Sequence, residues 1–442
     1  MTNSNPISLQ LRSDGRLLAA SSHEPRTLLF DLTCADAPAV VPSAPIALML
    51  AIDVSGSMNG PKLNAVREAA ARMAAGLNDN DLLGLCAFDE TARILLPITA
   101  MNAEGRRAAA GVIHGLRPGG STALCAGWRL AADELTREDA RFTGRSLHVV
   151  VLSDGQGNHG ETNPGALAEY SSCLALRGIA TSSIGVGDDW STEQLEALAV
   201  PGGGRLHHAI QADEIAALLE GELRGMQNLG AMGIELALAL PTGFAAQVLA
   251  PELARLDGVE LRIRLGAMAR GGRRTLPVGV AASPDAGSGP WVFEATLSAQ
   301  DPATRSPLPP LHVVLRLDPA ENLEAARAAR DVAAVREVAE HWLADATRRV
   351  MNANRHGMVD KQAFTAEARR FADYCRGVDG TDALVSAMSR LAEQASRVWD
   401  EADRKVTQMA AYKMTRGESV HALRQNLIDT LNESLGSPEN PR

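Results

Sequence analysis

Aromatic side chains are scarce in this chain: Phe, Trp and Tyr together make up 3% of its 442 residues. A core of that composition must be filled mainly by Ala, Leu, Val and Ile. The five cysteines, Cys34, Cys86, Cys125, Cys173 and Cys375, are odd in number, widely spaced and form no CxxC pair. That argues against a disulfide frame or a zinc site and predicts small buried residues in a reducing compartment. Long apolar runs are missing as well. Ile46–Ile52 and Leu147–Leu152 fall far short of the roughly 20 residues that cross a bilayer. Positive charge is not in excess: 43 Lys and Arg stand against 53 Asp and Glu, a net charge of −10. General affinity for nucleic acid or an anionic membrane is therefore not expected. Met1–Pro6 are polar and lack the basic and apolar stretches of a secretory signal, so the cytoplasm is the expected location. A Walker A sequence and a GxSxG elbow are also absent.

What is present reads as several domains, in keeping with the length. Residues 1–43 hold short strands, Ile7–Leu11 and Thr27–Leu32, followed by a proline-bearing linker at Ala35–Pro45. From 44 to 222, near-continuous apolar strands (Ile46–Ile52, Leu82–Phe88, Leu147–Leu152, Ile179–Val186) alternate with helix-length segments. That pattern predicts a doubly wound α/β domain whose mainly parallel sheet is buried on both faces. From 223 to 319, strands separated by Pro and Gly, with alternation in Val259–Leu265, predict an antiparallel β-sandwich. The N-terminal strands are too few to fold alone, so they are expected to join this sandwich, with the α/β domain inserted between. From 320 to 435 the chain reads as a helical bundle. One apolar stripe runs from Ala328 to Val350, a short one from Phe364 to Cys375, and a third from Leu384 through Val398 to Met409. Three antiparallel helices, the long ones roughly 40–50 Å each at 1.5 Å per residue, are expected, with a turn at Gly377–Thr381. Residues 436–442 read as a disordered tail.

The chemistry concentrates at strand ends. Asp53-Val54-Ser55-Gly56-Ser57 closes the first apolar strand of the α/β domain, and strand geometry turns one carboxylate and two hydroxyls to the same point above the sheet. Pro118-Gly119-Gly120-Ser121-Thr122 is a glycine loop that opens a helix. Leu152-Ser153-Asp154-Gly155 ends another buried strand. Two carboxylates and three hydroxyls thus converge on one face. Every ligand atom is oxygen, which suits Mg²⁺ or Ca²⁺, and no His or Cys accompanies them to favour zinc or copper.

Asp53-x-Ser55-x-Ser57, Thr122 and Asp154 together resemble the metal-ion-dependent adhesion site of von Willebrand factor type A domains, over about 180 residues of chain. Ser183–Asp189, the helix after it and Pro201–His207 resemble the end of such domains in bacterial proteins. The resemblance implies a Rossmann-like fold in which Ser55, Ser57 and Thr122 ligate the cation. Asp53 and Asp154 would act through water or hydrogen bonds. Mg²⁺ is the preferred ion, with Ca²⁺ or Mn²⁺ as alternatives. The family's use of such a site implies a protein partner that presents Asp or Glu to the metal. An AAA+ ATPase is a candidate, because many bacterial relatives work beside one. The flanking strands bear a looser likeness to calcium-activated-chloride-channel-type and inter-alpha-trypsin-inhibitor heavy-chain-type proteins.

The leading expectation is a non-catalytic, metal-dependent binding scaffold in the cytoplasm, with no nucleic-acid or membrane partner. The alternative is a Mg²⁺-dependent hydrolase or phosphotransfer enzyme at the same site, which needs a nucleophile or base beside the ion. Asn158, His159 and Glu161 read as a solvated loop, and Asp188 and Asp189 as helix-terminus charges that could also border the site. His207 and His208 read as structural or exposed, and Trp342 and Trp399 as anchors of the helical core.

Overall fold

The computed structural model describes residues 5–18, 24–36, 45–137, 140–187, 190–211, 213–250, 253–415, 427–429 and 431. Asp188, Asp189, most of the 35–45 linker and the 436–442 tail lie outside them.

The chain opens with β1 (Ile7–Ser13), the two-residue β2 (Leu17–Leu18) and β3 (Arg26–Cys34). The α/β part follows: β4 (Ile46–Asp53), α1 (Pro61–Gly76), β5 (Leu82–Phe88), β6 (Ala92–Ala100), α2 (Ala103–His114), α3 (Leu124–Thr136), β7 (Ser146–Ser153), α4 (Pro164–Leu176), β8 (Ile179–Val186), α5 (Thr192–Ala199), β9 (Gly203–Ala209) and α6 (Glu214–Gln227). Its sheet runs β6-β5-β4-β7-β8-β9, parallel except for the edge strand β6. All eight residues of β4 are buried. Ile46, Leu48, Leu50 and Ile52 pack under α1, α2 and α6, while Ala47, Met49 and Ala51 face α3, α4 and α5. Two-residue alternation thus feeds two cores. Each fully buried Leu or Ile contributes about 1.5–3 kcal/mol.

The β-rich part consists of β10 (Leu229–Ala239), β11 (Phe244–Val248), β12 (Leu253–Asp257), β13 (Glu260–Ala269), β14 (Arg273–Ala282), β15 (Trp291–Gln300) and β16 (Leu311–Pro319). One sheet is β1-β3-β14-β11, in which the N-terminal β3 pairs with β14 from Thr33↔Arg273 to Arg26↔Val280. The other is β12-β13-β10-β15-β16-β2. Phe30, Leu236, Ile263, Val278 and Phe293 share the core between them.

This part meets the α/β sheet at the N-terminal ends of its parallel strands. The Arg305 guanidinium donates to Arg145 O, just before β7. Gly203, at the start of β9, faces Gly266 of β13, and both have positive φ (72° and 79°). A Cβ on Gly203 would lie 3.1 Å from the Cα of Gly266, and one on Gly266 would lie 2.5 Å from the Cα of Gly203. A side chain at either position would strain its own backbone and strike the opposite one.

The helical part contains α7 (Leu323–Ala328), α8 (Val332–Arg355), α9 (Lys361–Cys375), α10 (Asp382–Gln394) and α11 (Glu401–Thr415). This corrects the sequence expectation of three helices with two long members. Asp331 caps α8 by accepting from Ala334 N, which separates it from α7. The 24 residues of α8 span about 36 Å. The third stripe is broken after Gln394. The Asn354 amide donates to Ala395 O and Arg397 O just past the helix end, and Trp399 turns inward while Val398 is left 97% exposed. Helix α11 crosses to the α/β part, where Met409 and Tyr412 join the core around α3–α5. The Leu206 N–H of edge strand β9 donates to the Tyr412 hydroxyl, and the Lys405 ammonium lies 4.7 Å from the Trp190 ring centroid. Among the described residues, no helix is long and apolar enough to cross a membrane. All five cysteines are free, and Cys173 is exposed, not buried as expected. It falls on the outer side of α4.

Candidate functional site

Strands β4 and β7 are neighbours in register, Ile52 opposite Leu152. Their carboxyl ends therefore place Asp53 opposite Ser153 and one residue short of Asp154, with both carboxylates fully buried. Beyond β4 the chain turns at once. The Ser55 N–H donates to Asp53 Oδ1 at 2.8 Å, and a short 3-10 turn carries Gly56–Met58. The Ser55 and Ser57 hydroxyls lie 3.1 Å apart, and Ser57 Oγ donates to Asp154 Oδ1 at 2.7 Å. Four of the five candidate residues thus form one string. Gly119 N–H donates to Val54 O and Gly56 N–H to Gly120 O, so the glycine loop is laced to the same turn.

Thr122 comes in from another side, two residues before α3, and is buried. Its Oγ1 would lie 3.1 Å from a Cβ on Gly155, so the hydroxyl packs directly on the backbone after Asp154. Asn158 N–H donates to Thr122 O, and Thr122 N–H donates to Asn158 Oδ1 at 3.4 Å. Asn158 therefore ties the loop to Thr122. His159 is exposed, and the exposed Glu161 accepts from Asn163 N. The Ser191 hydroxyl accepts from Gln194 N as a cap should, but the Gln194 side chain serves elsewhere. Its oxygen accepts from Gly157 N and its nitrogen donates to Gly157 O and Thr162 O, fixing the loop after Asp154.

Two participants escaped the sequence reading. Ser153 Oγ donates to Asp53 Oδ2 at 2.5 Å. Continuing the β4–β7 register by one residue would have found it. The Lys62 ammonium, from the first turn of α1, lies 2.6 Å from Asp154 Oδ2. Its signal was a cation at a helix start, where the helix dipole disfavours positive charge. Burial pushes the Asp53 carboxyl up to about 6, against hydrogen bonds from Ser153 and Ser55, with the charge of Asp154 adding to the rise.

The donor set fits a hard divalent ion. Adjacent ligands of an octahedral Mg²⁺ bound at about 2.1 Å lie about 3.0 Å apart, close to the Ser55–Ser57 separation. Among the described residues, no group of three or more His, Cys, Asp or Glu side chains is arranged to hold a metal. What the strand ends bring together is a pair of hydroxyls with two carboxylates, not a cluster of three acidic or imidazole groups.

His207 and His208 lie in β9. His207 Nε2 is 2.7 Å from Glu222 Oε1. Burial raises the Glu222 carboxyl, but the charge and hydrogen bond of His207 outweigh it and hold the group at about 2. His208 Nε2 donates to Gly187 O, which Trp190 Nε1 also reaches. Both histidines are thus held by contacts within the α/β part.

Residues 48–156 match the sequence model of the von Willebrand factor type A domain. An uncharacterized protein of Synechocystis sp. is 30% identical over 204 residues, 44% of this chain and 45% of that protein. Human inter-alpha-trypsin inhibitor heavy chain H4 is 30% identical over 189 residues, 41% of this chain and 20% of that protein. The chain spans less than half the length of the curated relatives it matches. Among solved structures, a von Willebrand factor type A protein from Catenulispora acidiphila has a TM-score of 0.68 at 17% identity, covering 93% of this chain and 98% of that one. The ArnB paralog VWA2 from Sulfolobus acidocaldarius has a TM-score of 0.59 at 14% identity, with the same coverage. At these identities the likeness is one of fold.

Proposed function

We propose, from the premise that this chain carries a von Willebrand factor type A domain, that Asp53, Ser55, Ser57, Thr122 and Asp154 hold a divalent cation whose open position takes an Asp or Glu side chain of a partner protein. The observation that carries the reading is the hydrogen-bonded string Ser55–Ser57–Asp154 beside the buried Asp53, at the carboxyl ends of two adjacent parallel strands. Hydroxyl ligands are neutral, so the charge of Asp53 and Asp154 reaches the ion from behind them and its open position attracts an outside carboxylate. A bound ion would supply that attraction. The chain's own residues fix where it acts.

The preferred ion is Mg²⁺, because the two hydroxyls sit close together and oxygen is the sole donor type. The protein is a binding module and not an enzyme in this reading, since the hydroxyls that could serve as nucleophiles are those that face the ion. The site lies in a domain spanning 44–222. Residues 1–43 with 223–319, and the helical 320–435, form the scaffold that presents it. The setting is the cytoplasm, and an AAA+ ATPase is the partner class to look for first.

Calorimetric titration with Mg²⁺ tests the site: Asp53→Ala and Ser55→Ala should abolish the heat of binding while circular dichroism stays unchanged. Unaltered affinity in Asp53→Ala would overturn the assignment. Capture from native lysate with and without EDTA, read by mass spectrometry, tests the partner. Metal-sensitive recovery of an AAA+ ATPase supports that partner, and recovery unaffected by EDTA counts against it.

A further inference from the structure

We infer that Lys62 is a built-in counter-cation of this site, which weakens its hold on a metal ion alone and makes ion and partner carboxylate bind tightly only together. The inference rests on the metal-site reading above and adds a regulation to it.

Lys62 is placed against local preference. It stands in the first turn of α1, where the unpaired N–H groups favour anions, and that turn holds no acidic residue to offset it. Its ammonium reaches Asp154 Oδ2 at 2.6 Å, while the same carboxylate's Oδ1 accepts from Ser57. Its end lies against the backbone of Gly187, where a Cβ would fall 3.3 Å from Cε and 3.4 Å from Nζ. The Gly187 carbonyl is itself held by Trp190 and His208, so this support is fixed. Asp154 is completely buried and the Lys62 side chain is 29% exposed. The ammonium therefore acts on the carboxylate through little solvent, and screening is weak.

The charge balance gives the consequence. Counted formally, the two carboxylates Asp53 and Asp154 and the one ammonium of Lys62 give the site one negative charge. A divalent ion turns that to one net positive charge, close to a fixed cation, which opposes its entry. A partner carboxylate then restores neutrality. Without Lys62 the loaded site is neutral before any partner arrives. The lysine thus moves binding energy from the ion alone to the ion–carboxylate pair, which is a positive coupling between the two ligands.

Mn²⁺ titrations followed by electron paramagnetic resonance test this, with sodium acetate as the carboxylate probe and sodium chloride at matched ionic strength as control. Wild-type protein should bind Mn²⁺ at least fivefold tighter in acetate than in chloride. Lys62→Met should bind Mn²⁺ at least tenfold tighter than wild type in chloride and gain less than twofold from acetate. Lys62→Arg should keep the wild-type pattern, which a role in packing alone would not predict. Lys62→Gln repeats the comparison if the methionine variant melts early. Mn²⁺ affinity in well-folded Lys62→Met or Lys62→Gln no tighter than wild type, or a wild type indifferent to acetate, overturns the inference. If Asp53→Ala still abolishes Mn²⁺ binding in that case, the metal site itself stands. A wild type that takes up no Mn²⁺ removes both.

Discussion

Ser153 and Asp53 face each other across the β4–β7 pair, and the Ser153 hydroxyl donates to Asp53 Oδ2 at 2.5 Å. One carboxylate oxygen is thus held by the strand next door and the other by the Ser55 backbone. The carboxylate is oriented before any ligand arrives.

Ser153→Ala leaves a buried carboxylate short of one donor, a change that costs about 1–3 kcal/mol. Hydrogen exchange should quicken at the carboxyl ends of β4 and β7, and Mg²⁺ affinity should drop several-fold. Exchange rates unchanged at both strand ends would mean that the hydroxyl supports nothing there.

Tyr412 supplies a hydrogen bond between α11 and the edge of the α/β sheet, beside the contacts of Met409 and Lys405. Tyr412→Phe keeps the ring in its apolar setting and strands the Leu206 N–H, for a loss of about 1–3 kcal/mol. Faster exchange confined to β9 and α11 is the expected signature. Uniform destabilisation of the whole chain would argue for a different role.

Acid should loosen the protein through two buried histidines. Burial lowers His148 from 6.5 to about 4, with Glu222 opposing. It does the same to His341, where Glu337 and Asp31 oppose and Arg274 and Arg12 reinforce the fall. Both are neutral in the fold and take up a proton on unfolding below pH 6.5. The unfolded chain then binds more protons, so this stability is full above about pH 6.5 and is lost as pH falls toward 4. Each group is worth on the order of 3 kcal/mol over that window. Melting temperature measured from pH 7.5 down to 4 should fall, and the slope should flatten in a His148→Gln/His341→Gln variant.

Adjacent residues in the α10–α11 connection should respond oppositely to truncation. Val398→Ser should lie within about 0.5 kcal/mol of wild type. Trp399→Ala should cost about 3–5 kcal/mol, because its ring fills the helical core and carries the Arg397 guanidinium 4.2 Å from its centroid. Thermal melts of the two variants decide it.

That pair also marks where the sequence stops being readable. The stripe from Leu384 to Met409 keeps helical spacing straight through Val398. Where α10 ends, the carbonyls of Ala395 and Arg397 accept from the amide of Asn354, forty residues earlier and on another helix, a partner that local spacing does not reveal. The central strands were legible because β4 and β7 are buried on both faces and their apolar runs leave no competing period. The short strand β12 went unseen, being five residues long and carrying Arg255 and Asp257. At the site, Asp53, Ser55, Ser57 and Asp154 could be grouped because strand ends in an open α/β sheet point to one crevice. Lys62 could not, since a cation placed against the helix dipole is an anomaly that does not name its partner. Its partner Asp154 lies ninety-two positions further along.

The Gly203–Gly266 contact has a steric consequence. The two main chains approach there with no side chain between them, so either glycine admits no larger residue. The eight residues of β4 run about 26 Å from that joint's end of the sheet to the site. A single buried strand thus separates the β-layers at one end of the sheet from the Asp53 carboxylate at the other.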